Sequence, residues 1–371
     1  MRLAEVGCKI VGDKICSNSG KSRCMNDQVF GKTLRSVREL VDGGLIEASA
    51  EAGLAAVEAR YAIAITPEFA ARMSPVLARQ FLPSVDELTV AAGEVGDPTG
   101  DAAHSPVVGV VHRYPDRALL KPLLICPVYC RFCFRREHVG PDGGVLGEAE
   151  LEAAFGYLAG QSGLREVILT GGDPLMLSPR RLAAILGRLA AMKQIEILRI
   201  HTRVPLADPG RVSVELVEAL GAAGDKALWV GVHINHAEEF SEAGAAALAR
   251  LSRAGMALLG QTVLLRGVND SVEALGELFR AMLRHRIKPY YLHQMDAAPG
   301  TAQFYVPIEE GLALMRGLRG RISGMGLPTY ILDIEGGYGK IPLGPGYLDG
   351  QGGMQDPFGG QHVLAEGSFG G

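Results

Sequence analysis

The sequence predicts an α/β fold: a partial TIM-type barrel of parallel strands, preceded by an N-terminal helical layer. From about residue 118 onward, short apolar runs typical of buried strands alternate strictly with helical runs. Such alternation favours a parallel sheet with right-handed crossovers. Unusual polar residues also cluster directly after the predicted strands, where a parallel barrel carries its functional rim. A doubly wound open sheet is the alternative, because the alternation alone does not separate the two folds.

The predicted strands are short apolar runs, and the predicted helices carry apolar residues at three-to-four spacing. The strands are predicted at residues 119–125, 166–170, 195–201, 227–234, 257–265, 288–293 and 329–333. The helices between them are predicted at residues 146–159, 179–193, 212–223, 238–254, 272–284 and 308–322.

The region before the barrel divides into two parts. Apolar residues recur at helical spacing in its second part, and Thr66 followed by Pro67 is typical of a helix start. The first part is polar and irregular. The predicted divisions are a poorly ordered extension (1–30), the helical layer (31–105), the barrel (106–335), and a loop carrying Lys340 with a Gly-rich tail (336–371).

Composition excludes several classes of protein. The 371 residues include 37 basic and 41 acidic side chains, a net charge of −4, whereas a dedicated nucleic-acid surface needs a basic excess. No apolar run reaches the roughly 18–20 residues of a membrane span. The N-terminus lacks the apolar core of a signal peptide. We therefore expect a cytoplasmic protein, in which thiols stay reduced.

Three cysteines, Cys126, Cys130 and Cys133, form a C-x3-C-x2-C motif just after the first predicted barrel strand. Three close thiolates suit a soft metal centre. Zinc normally takes four protein ligands, and no cysteine follows Cys133. A four-iron–four-sulfur cluster on three cysteines instead leaves one iron open. Three buried free thiols are the alternative, although buried thiols do not require this spacing.

The other cysteines, Cys8, Cys16 and Cys24, lie in the predicted extension. Their wide and even separation fits no tight metal loop. A second metal site there is the less favoured interpretation.

A glycine-rich turn, Gly171-Gly172-Asp173, follows the second predicted strand. Glycine has no Cβ, so the backbone there can approach a ligand closely. The alternative is an ordinary strand-to-helix turn in which Asp173 or Ser178 caps the next helix.

Polar residues near the end of the chain suggest further site positions. Lys340 follows Gly-Gly-Tyr-Gly, a tight loop that can bring an amine to a buried carbonyl; a solvated surface lysine is the alternative. Asp296 and Asp333 follow two strands of the same rim. They suit an acid–base pair, a metal site or a clamp for a cation, or else helix caps and surface ion pairs.

Arginines flank the first predicted strand on both sides. Arg135 and Arg136 offer a bidentate fork for a carboxylate, or else are solvated or form a structural ion pair. Arg113, Tyr114 and Arg117 can hold a phosphate and cover a flat ring, or else form a charged turn.

Taken together, these residues resemble the lysine 2,3-aminomutase family, radical S-adenosylmethionine enzymes that also use pyridoxal phosphate. The resemblance spans about residues 110–347. The cysteine motif specifies only the superfamily, while the 261–270 segment and the Gly-Gly-Tyr-Gly-Lys loop that ends at Lys340 are specific to the aminomutases. The matching segments are 112–117, 126–136, 170–173, 261–270, 288–296 and 328–340.

The resemblance implies a role for each matching position. Cys126, Cys130 and Cys133 would hold the 4Fe-4S cluster, and Lys340 would form the internal aldimine with pyridoxal 5'-phosphate. Arg113, Tyr114 and Arg117 would line the pyridoxal phosphate site. Gly171, Gly172, Asp173, His233 and Gln261 would face S-adenosyl-L-methionine. Arg135 would bind the substrate carboxylate, and Asp296 with Asp333 would bind the distal ammonium of lysine.

The resemblance also implies an activity. A 5'-deoxyadenosyl radical would take hydrogen from C3 of lysine, and the amino group would move from C2 to C3 to give β-lysine. An electron donor such as flavodoxin or ferredoxin would reduce the cluster. The alternatives are a radical enzyme acting on another amino acid such as arginine, and a non-catalytic iron–sulfur protein.

The chain departs from the family in two respects. Clostridial-type members carry extra C-terminal cysteines for a structural zinc that joins subunits, and no cysteine follows Cys133 here. We therefore predict no zinc, and a homo-oligomer, if formed, would differ from theirs. The Ala-Ala-Pro-Gly that follows Asp296 resembles the short bacterial branch that supplies β-lysine for elongation factor P modification.

Overall fold

The computed structural model describes residues 31–140, 143–347, 353–356 and 360–363. The predicted extension, with Cys8, Cys16 and Cys24, lies outside these residues, as does most of the Gly-rich tail. The strands are β1 Val110–Tyr114, β2 Arg117–Leu123, β3 Glu166–Gly171, β4 Ile197–Thr202, β5 Ala227–His233, β6 Ala257–Val263, β7 Ile287–His293, β8 Thr329–Ile334, β9 Gly339–Gly344, β10 Gly353–Gln355 and β11 Gln361–Val363.

The α-helices alternate with the barrel strands after a series of short helices. In the N-terminal layer they are α1 Val37–Asp42, α2 Glu51–Arg60, α3 Pro67–Ala70 and α4 Pro75–Phe81. In the barrel they are α5 Glu148–Ala159, α6 Pro179–Ala190, α7 Val204–Ala207, α8 Val214–Leu220, α9 Glu242–Arg253, α10 Val272–Arg284 and α11 Ile308–Leu318. None of the described helices is long and apolar enough to cross a membrane.

The main sheet has nine strands that neighbour one another in chain order, from β1 to β9. Strands β2 to β8 are parallel, and β1 and β9 run antiparallel at the two edges. This sequential order confirms the partial barrel, since a doubly wound sheet reverses its order at a switch point. In the described part of the chain no strand pairing joins β1 to β9. We call this opening the edge gap.

Each predicted parallel strand is confirmed to within a few residues, but both edge strands were missed. The segment 112–117, which the sequence leaves open as a phosphate-holding group or a charged turn, contains the end of β1, a two-residue turn and the start of β2. Arg113 and Tyr114 therefore lie on a strand. Lys340, predicted on a loop, lies on β9. Charged residues mask the apolar pattern of β1, and Pro342 argues against a central strand although it is compatible with an edge.

Local sequence explains where the helices begin. Ser178 accepts a hydrogen bond from the Arg181 N–H at the start of α6, and Ser271 does the same for Ala274 at the start of α10. In the N-terminal layer, Thr66 caps α3 and accepts from the Phe69 N–H, as the Thr-Pro pair predicts. The layer is helical as expected, but its helices are short and separate.

The core lies between the outer face of the sheet and the helices. On β4, Leu198 and Ile200 are fully buried, and the intervening residues alternate to the opposite face. That opposite face carries His201 toward the barrel interior, where Gly231 of β5 lies beside it. A Cβ on Gly231 would stand 2.9 Å from the His201 ring, so the interior histidine requires glycine on the neighbouring strand.

Candidate functional site

The cysteine loop follows β2 at the rim formed by the carboxyl ends of the parallel strands. Cys126, Cys130 and Cys133 are free thiols, each partly buried, and burial raises the pKa of each. In the described residues, no three His, Cys, Asp or Glu side chains are grouped as ligands of one ion. A cluster takes its thiolates on separate irons, so they need not converge on one point. Three free thiols on one short loop therefore fit an iron–sulfur cluster.

A buried ion group fixes this loop to the N-terminal layer. Glu87 is fully buried, and the Arg131 Nε lies 2.9 and 3.0 Å from its two carboxylate oxygens. Arg136 also contacts Glu87, and its Nη1 donates to the carbonyls of Arg131 and Gly300 at 2.9 and 3.1 Å. We call these three residues the Glu87 ion group. Arg136 thus forms the structural ion pair that the sequence left open, and no substrate fork.

The glycine-rich turn after β3 packs directly against the end of β2. Gly171 has φ +101°, and a Cβ on Gly172 would lie 2.4 Å from the Ile125 carbonyl oxygen. Close contact between two backbone segments therefore requires glycine here, whether or not a ligand binds.

The Asp173 carboxylate, in the same turn, accepts hydrogen bonds from four groups. It accepts from the Thr202 hydroxyl at 2.8 Å and from the backbone N–H groups of Leu175, Arg203 and Val204 at 3.1, 2.6 and 3.1 Å. The capping role is confirmed for Asp173 on the turn Pro174–Met176, and for Ser178 on α6. A role for these residues toward S-adenosylmethionine stays a prediction.

Three histidines line the barrel interior at the ends of β4, β5 and β7. Burial lowers the pKa of His201 and His233 well below its usual value, and that of His293 to about 3. All three are therefore neutral near pH 7. The Nε2 atoms of His201 and His233 are buried and lack a hydrogen-bond partner in the described structure. Such orphaned nitrogens are groups that a polar ligand would satisfy.

Residues predicted to face S-adenosylmethionine converge near this point. Gln261 of β6 lies directly opposite His233 in the strand register. The His233 ring lies 5.7 Å from the ring of Phe132, which belongs to the cysteine loop. The glycine turn, the cysteine loop and His233 thus share one rim, which fits a ligand that spans them.

Lys340 lies at the edge gap, opposite Asp333 in the register of β8 and β9. Its amine contacts the Asp333 carboxylate, which also accepts from both Arg113 Nη atoms at 3.3 Å. The Lys340 backbone N–H donates to the Tyr114 hydroxyl at 2.9 Å. Arg117 lies against the Tyr114 ring, with 3.8 Å between its Cζ and the ring centroid. An amine, an aromatic ring and two guanidinium groups are thus grouped at the edge gap, and their role toward pyridoxal phosphate stays a prediction.

Asp296, in the loop after β7, differs from the other acidic residues of the site. Its carboxylate has no hydrogen bond or ion pair among the described residues. Burial raises its pKa to about 6, and the nearby Asp333 adds to this shift while Lys340 opposes it. Asp296 is therefore a partly buried, unpaired carboxylate beside Lys340.

Arg135 is paired within the protein. Its Nη2 and Nε donate to Asp101 at 2.7 and 3.1 Å. Burial works to raise the pKa of Asp101, but Arg135, Lys121 and Arg113 together outweigh burial and the pKa falls to about 2. The sequence offers no signal for Asp101, which lies on the loop before β1, for Glu87, or for Glu239, which pairs with Arg203 at 2.7 Å. Each of these acidic residues meets its partner only in the folded chain.

Two family models match the chain. Residues 120–279 match the model described as the radical SAM superfamily, and residues 315–355 match the model described as lysine-2,3-aminomutase. A putative L-lysine 2,3-aminomutase of Aquifex aeolicus is 36% identical over 323 residues, covering 85% of this chain and 86% of that protein. The L-lysine 2,3-aminomutases of Clostridium subterminale and Escherichia coli are 36% and 40% identical, covering 81% and 72% of this chain and 73% and 77% of those proteins.

An open parallel barrel with three free cysteines after its first parallel strand, and a match to the superfamily model, define a radical S-adenosylmethionine enzyme. The similarity to the curated relatives narrows this class. The chain belongs to the lysine 2,3-aminomutase family and is an isomerase that uses a 4Fe-4S cluster, S-adenosylmethionine and pyridoxal phosphate.

Proposed function

We propose that the protein moves the α-amino group of L-lysine from C2 to C3 and so forms β-lysine. The observation that carries this proposal is the unpaired Asp296 carboxylate beside Lys340 and Asp333. A carboxylate held partly buried without a partner favours a cationic substrate end. The names of the relatives, L-lysine 2,3-aminomutase, support lysine as the substrate.

The chain's own residues would divide the work among three positions. Cys126, Cys130 and Cys133 hold the cluster, and His233 with Gln261 and the glycine turn binds S-adenosylmethionine. Lys340 holds pyridoxal phosphate, and Arg113 and Arg117 supply positive charge. The Tyr114 hydroxyl accepts a hydrogen bond from the Lys340 backbone N–H and so orients this lysine. When bound, the three cofactors supply a carbon radical that removes hydrogen and a conjugated carrier for the migrating nitrogen.

Substrate orientation would depend on charge at both ends. Arg135 binds the substrate carboxylate, in competition with or alongside Asp101, its partner in the present structure. Asp296 and Asp333 bind the distal ammonium. Arg113 and Lys340 engage Asp333 in the present structure, so the ammonium chiefly supplies the missing partner of the Asp296 carboxylate. Glutamate would bring a third negative charge to these two residues and is therefore rejected.

The proposed function is tested with the purified enzyme under reducing, anaerobic conditions. Lysine, arginine, ornithine and glutamate are offered separately, and β-amino acids are separated by chromatography. We expect lysine to be the preferred substrate and glutamate to be inert. Preferred turnover of arginine would favour the alternative of another amino acid, and no turnover of any of them would contradict the proposal.

The sites are tested by substitution and chemical trapping. Replacing Cys126, Cys130 or Cys133 with Ala should abolish iron binding, whereas replacing Cys8, Cys16 or Cys24 should not change it. Lys340→Ala should lose pyridoxal phosphate fixed by borohydride while keeping iron. A fixed cofactor on another lysine would disprove the assignment of Lys340.

Three further statements are proposals of the same kind. A flavodoxin or ferredoxin donates the electron, β-lysine serves elongation factor P modification, and no zinc is required. Reduction assays with each donor test the first proposal, and metal analysis of the purified protein tests the third. Transfer of labelled β-lysine to elongation factor P tests the second.

A further inference from the structure

We propose that Arg203 raises the reduction potential of the cluster through direct contact with the sulfur of Cys130. Arg203 is therefore a positioning and electrostatic residue for the cluster and does not ligate it. The inference rests on the proposed role of the three cysteines.

The contact is a buried, charged hydrogen bond. Arg203 lies just after β4 and is only 5% exposed, and its Nη1 donates to the Cys130 Sγ at 3.0 Å. The other terminal nitrogen, Nη2, contacts Glu239 at 2.7 Å and the Gln80 side-chain oxygen at 2.9 Å. The cation is thus placed directly against a cluster sulfur, while Glu239 reaches only the nitrogen that does not touch the sulfur.

The position of Arg203 is fixed from several elements. Its backbone N–H donates to Asp173, and its guanidinium carbon lies 4.8 Å from the Phe81 ring centroid and 5.7 Å from that of Phe132. Glu239 is fully buried and itself accepts the N–H groups of Asn235 and His236 at 2.8 and 3.0 Å. These contacts leave the arginine little freedom to move away when the charge on the cluster changes.

The direction of the effect follows from the added electron. Reduction makes the cluster and its thiolates more negative, so a fixed positive charge and an N–H···S hydrogen bond stabilise the reduced form more than the oxidised form. Burial strengthens this interaction because solvent screening is weak. Glu239 acts in the opposite sense on the same cluster, since its negative charge disfavours reduction.

Two substitutions should therefore shift the potential in opposite directions. Arg203→Gln should lower the equilibrium constant for reduction about tenfold, or about 59 mV for a one-electron step. Glu239→Gln should raise the equilibrium constant, since Arg203 then acts unopposed. A purely structural role of the pair predicts no such opposition in sign.

The measurement is a redox titration of the anaerobic, cluster-loaded enzyme without S-adenosylmethionine, followed by electron paramagnetic resonance. Arg250→Gln is the matched control, because the Arg250 guanidinium contacts the backbone carbonyls of Val212 and Pro209 and should leave the potential unchanged. Arg203→Lys keeps the charge but loses the fork, so its downward shift should be smaller than that of Arg203→Gln.

Each outcome decides the proposal. A downward shift in Arg203→Gln together with an upward shift in Glu239→Gln supports it, and unchanged potentials, shifts of the same sign or the reverse pair of shifts overturn it. If Arg203→Gln fails to bind iron, Glu239→Gln and Arg203→Lys carry the test, and an upward shift in the first with a downward shift in the second is required. A wild-type protein without a cluster would defeat the cysteine assignment itself, whereas a cluster with unshifted potentials in the variants would defeat only the role of Arg203.

Discussion

The Tyr114 hydroxyl accepts a hydrogen bond of 2.9 Å from the backbone N–H of Lys340. These residues lie on β1 and β9, the first and last strands of the main sheet, which share no strand pairing in the described part of the chain. The bond therefore holds the proposed cofactor lysine in place from across the edge gap. The preceding residue, Gly339, also lies close to this hydroxyl, because a Cβ added to it would stand 3.1 Å from the Tyr114 oxygen.

Tyr114→Phe should cost about 1 kcal/mol of unfolding free energy, because the Lys340 N–H loses its partner. The variant should also release pyridoxal phosphate several-fold faster, measured by dialysis and absorbance. Tyr338→Phe is the control, since Tyr338 lies on the adjoining turn and is 84% exposed. Equal effects of the two substitutions in urea denaturation would contradict the importance of the bond.

Glu87→Gln should destabilise the protein by about 3–5 kcal/mol, because it leaves the buried guanidinium groups of Arg131 and Arg136 without their carboxylate. Iron content should fall as well, since both arginines belong to the cysteine loop. The control is Glu152→Gln, which breaks a pair with Arg188 in which both side chains are about half exposed. That change should have little effect on stability, because solvent screens the exposed pair, and an equally small effect of Glu87→Gln would refute the prediction.

Gly172→Ala should disrupt the rim, because its Cβ would lie 2.4 Å from the Ile125 carbonyl oxygen beside Cys126. We expect loss of both stability and iron binding. Gly187→Ala is the matched control in α6, where no atom lies within 4 Å of the added Cβ, and it should stabilise the protein by about 0.5–1 kcal/mol. Iron content is measured on both variants. Full iron content in Gly172→Ala would show that the backbone contact with Ile125 can relax and would contradict the prediction.

Asp296→Asn and Asp333→Asn should both reduce lysine turnover severely, by an amount corresponding to about 2–5 kcal/mol for a buried pair. They should differ in stability. Asp333→Asn leaves Arg113 without its partner and should destabilise, whereas Asp296→Asn removes an unpaired charge and should not. Steady-state kinetics and denaturation of both variants separate the two effects, and wild-type turnover in both would overturn the substrate clamp.

The raised pKa of Asp296, about 6, predicts a pH dependence of kcat/KM for lysine. The carboxylate is ionised above this pH and protonated below it, so its attraction for the substrate ammonium is lost as pH falls through about 6. Folding stability changes in the opposite direction: ionising Asp296 costs stability, and this cost is absent below its unfolded pKa and fully present above pH 6. A kcat/KM profile that is flat from pH 5 to 8 would argue against ionised Asp296 as the partner.

Local motifs predicted much of the site, and contacts distant in sequence account for the rest. The cysteine spacing and the glycine turn are short patterns, so they were visible in the sequence. The Cys130–Arg203, Glu87–Arg131 and Asp101–Arg135 contacts join residues 73, 44 and 34 positions apart, and no short pattern marks them. The charge pairs that now engage Arg135 and Arg136 became apparent only in the folded chain.

The strands show the same division between pattern and context. A parallel strand that is buried on both faces appears as a continuous apolar run, as in β3, where residues 167–170 are all buried. The edge strands β1 and β9 have one neighbour each, so they tolerate Arg113, Lys340 and Pro342 and lose the pattern that predicts a strand.

The edge gap is the line along which the barrel wall should open most easily. Separating any two neighbouring strands elsewhere removes a ladder of backbone hydrogen bonds, whereas separating β1 from β9 removes side-chain contacts such as Tyr114–Lys340. Opening free energies are lowest where backbone pairing is absent. Amide hydrogen exchange should therefore be fastest along this line of the main sheet, which places the least protected backbone of the wall beside the lysine proposed to carry the cofactor.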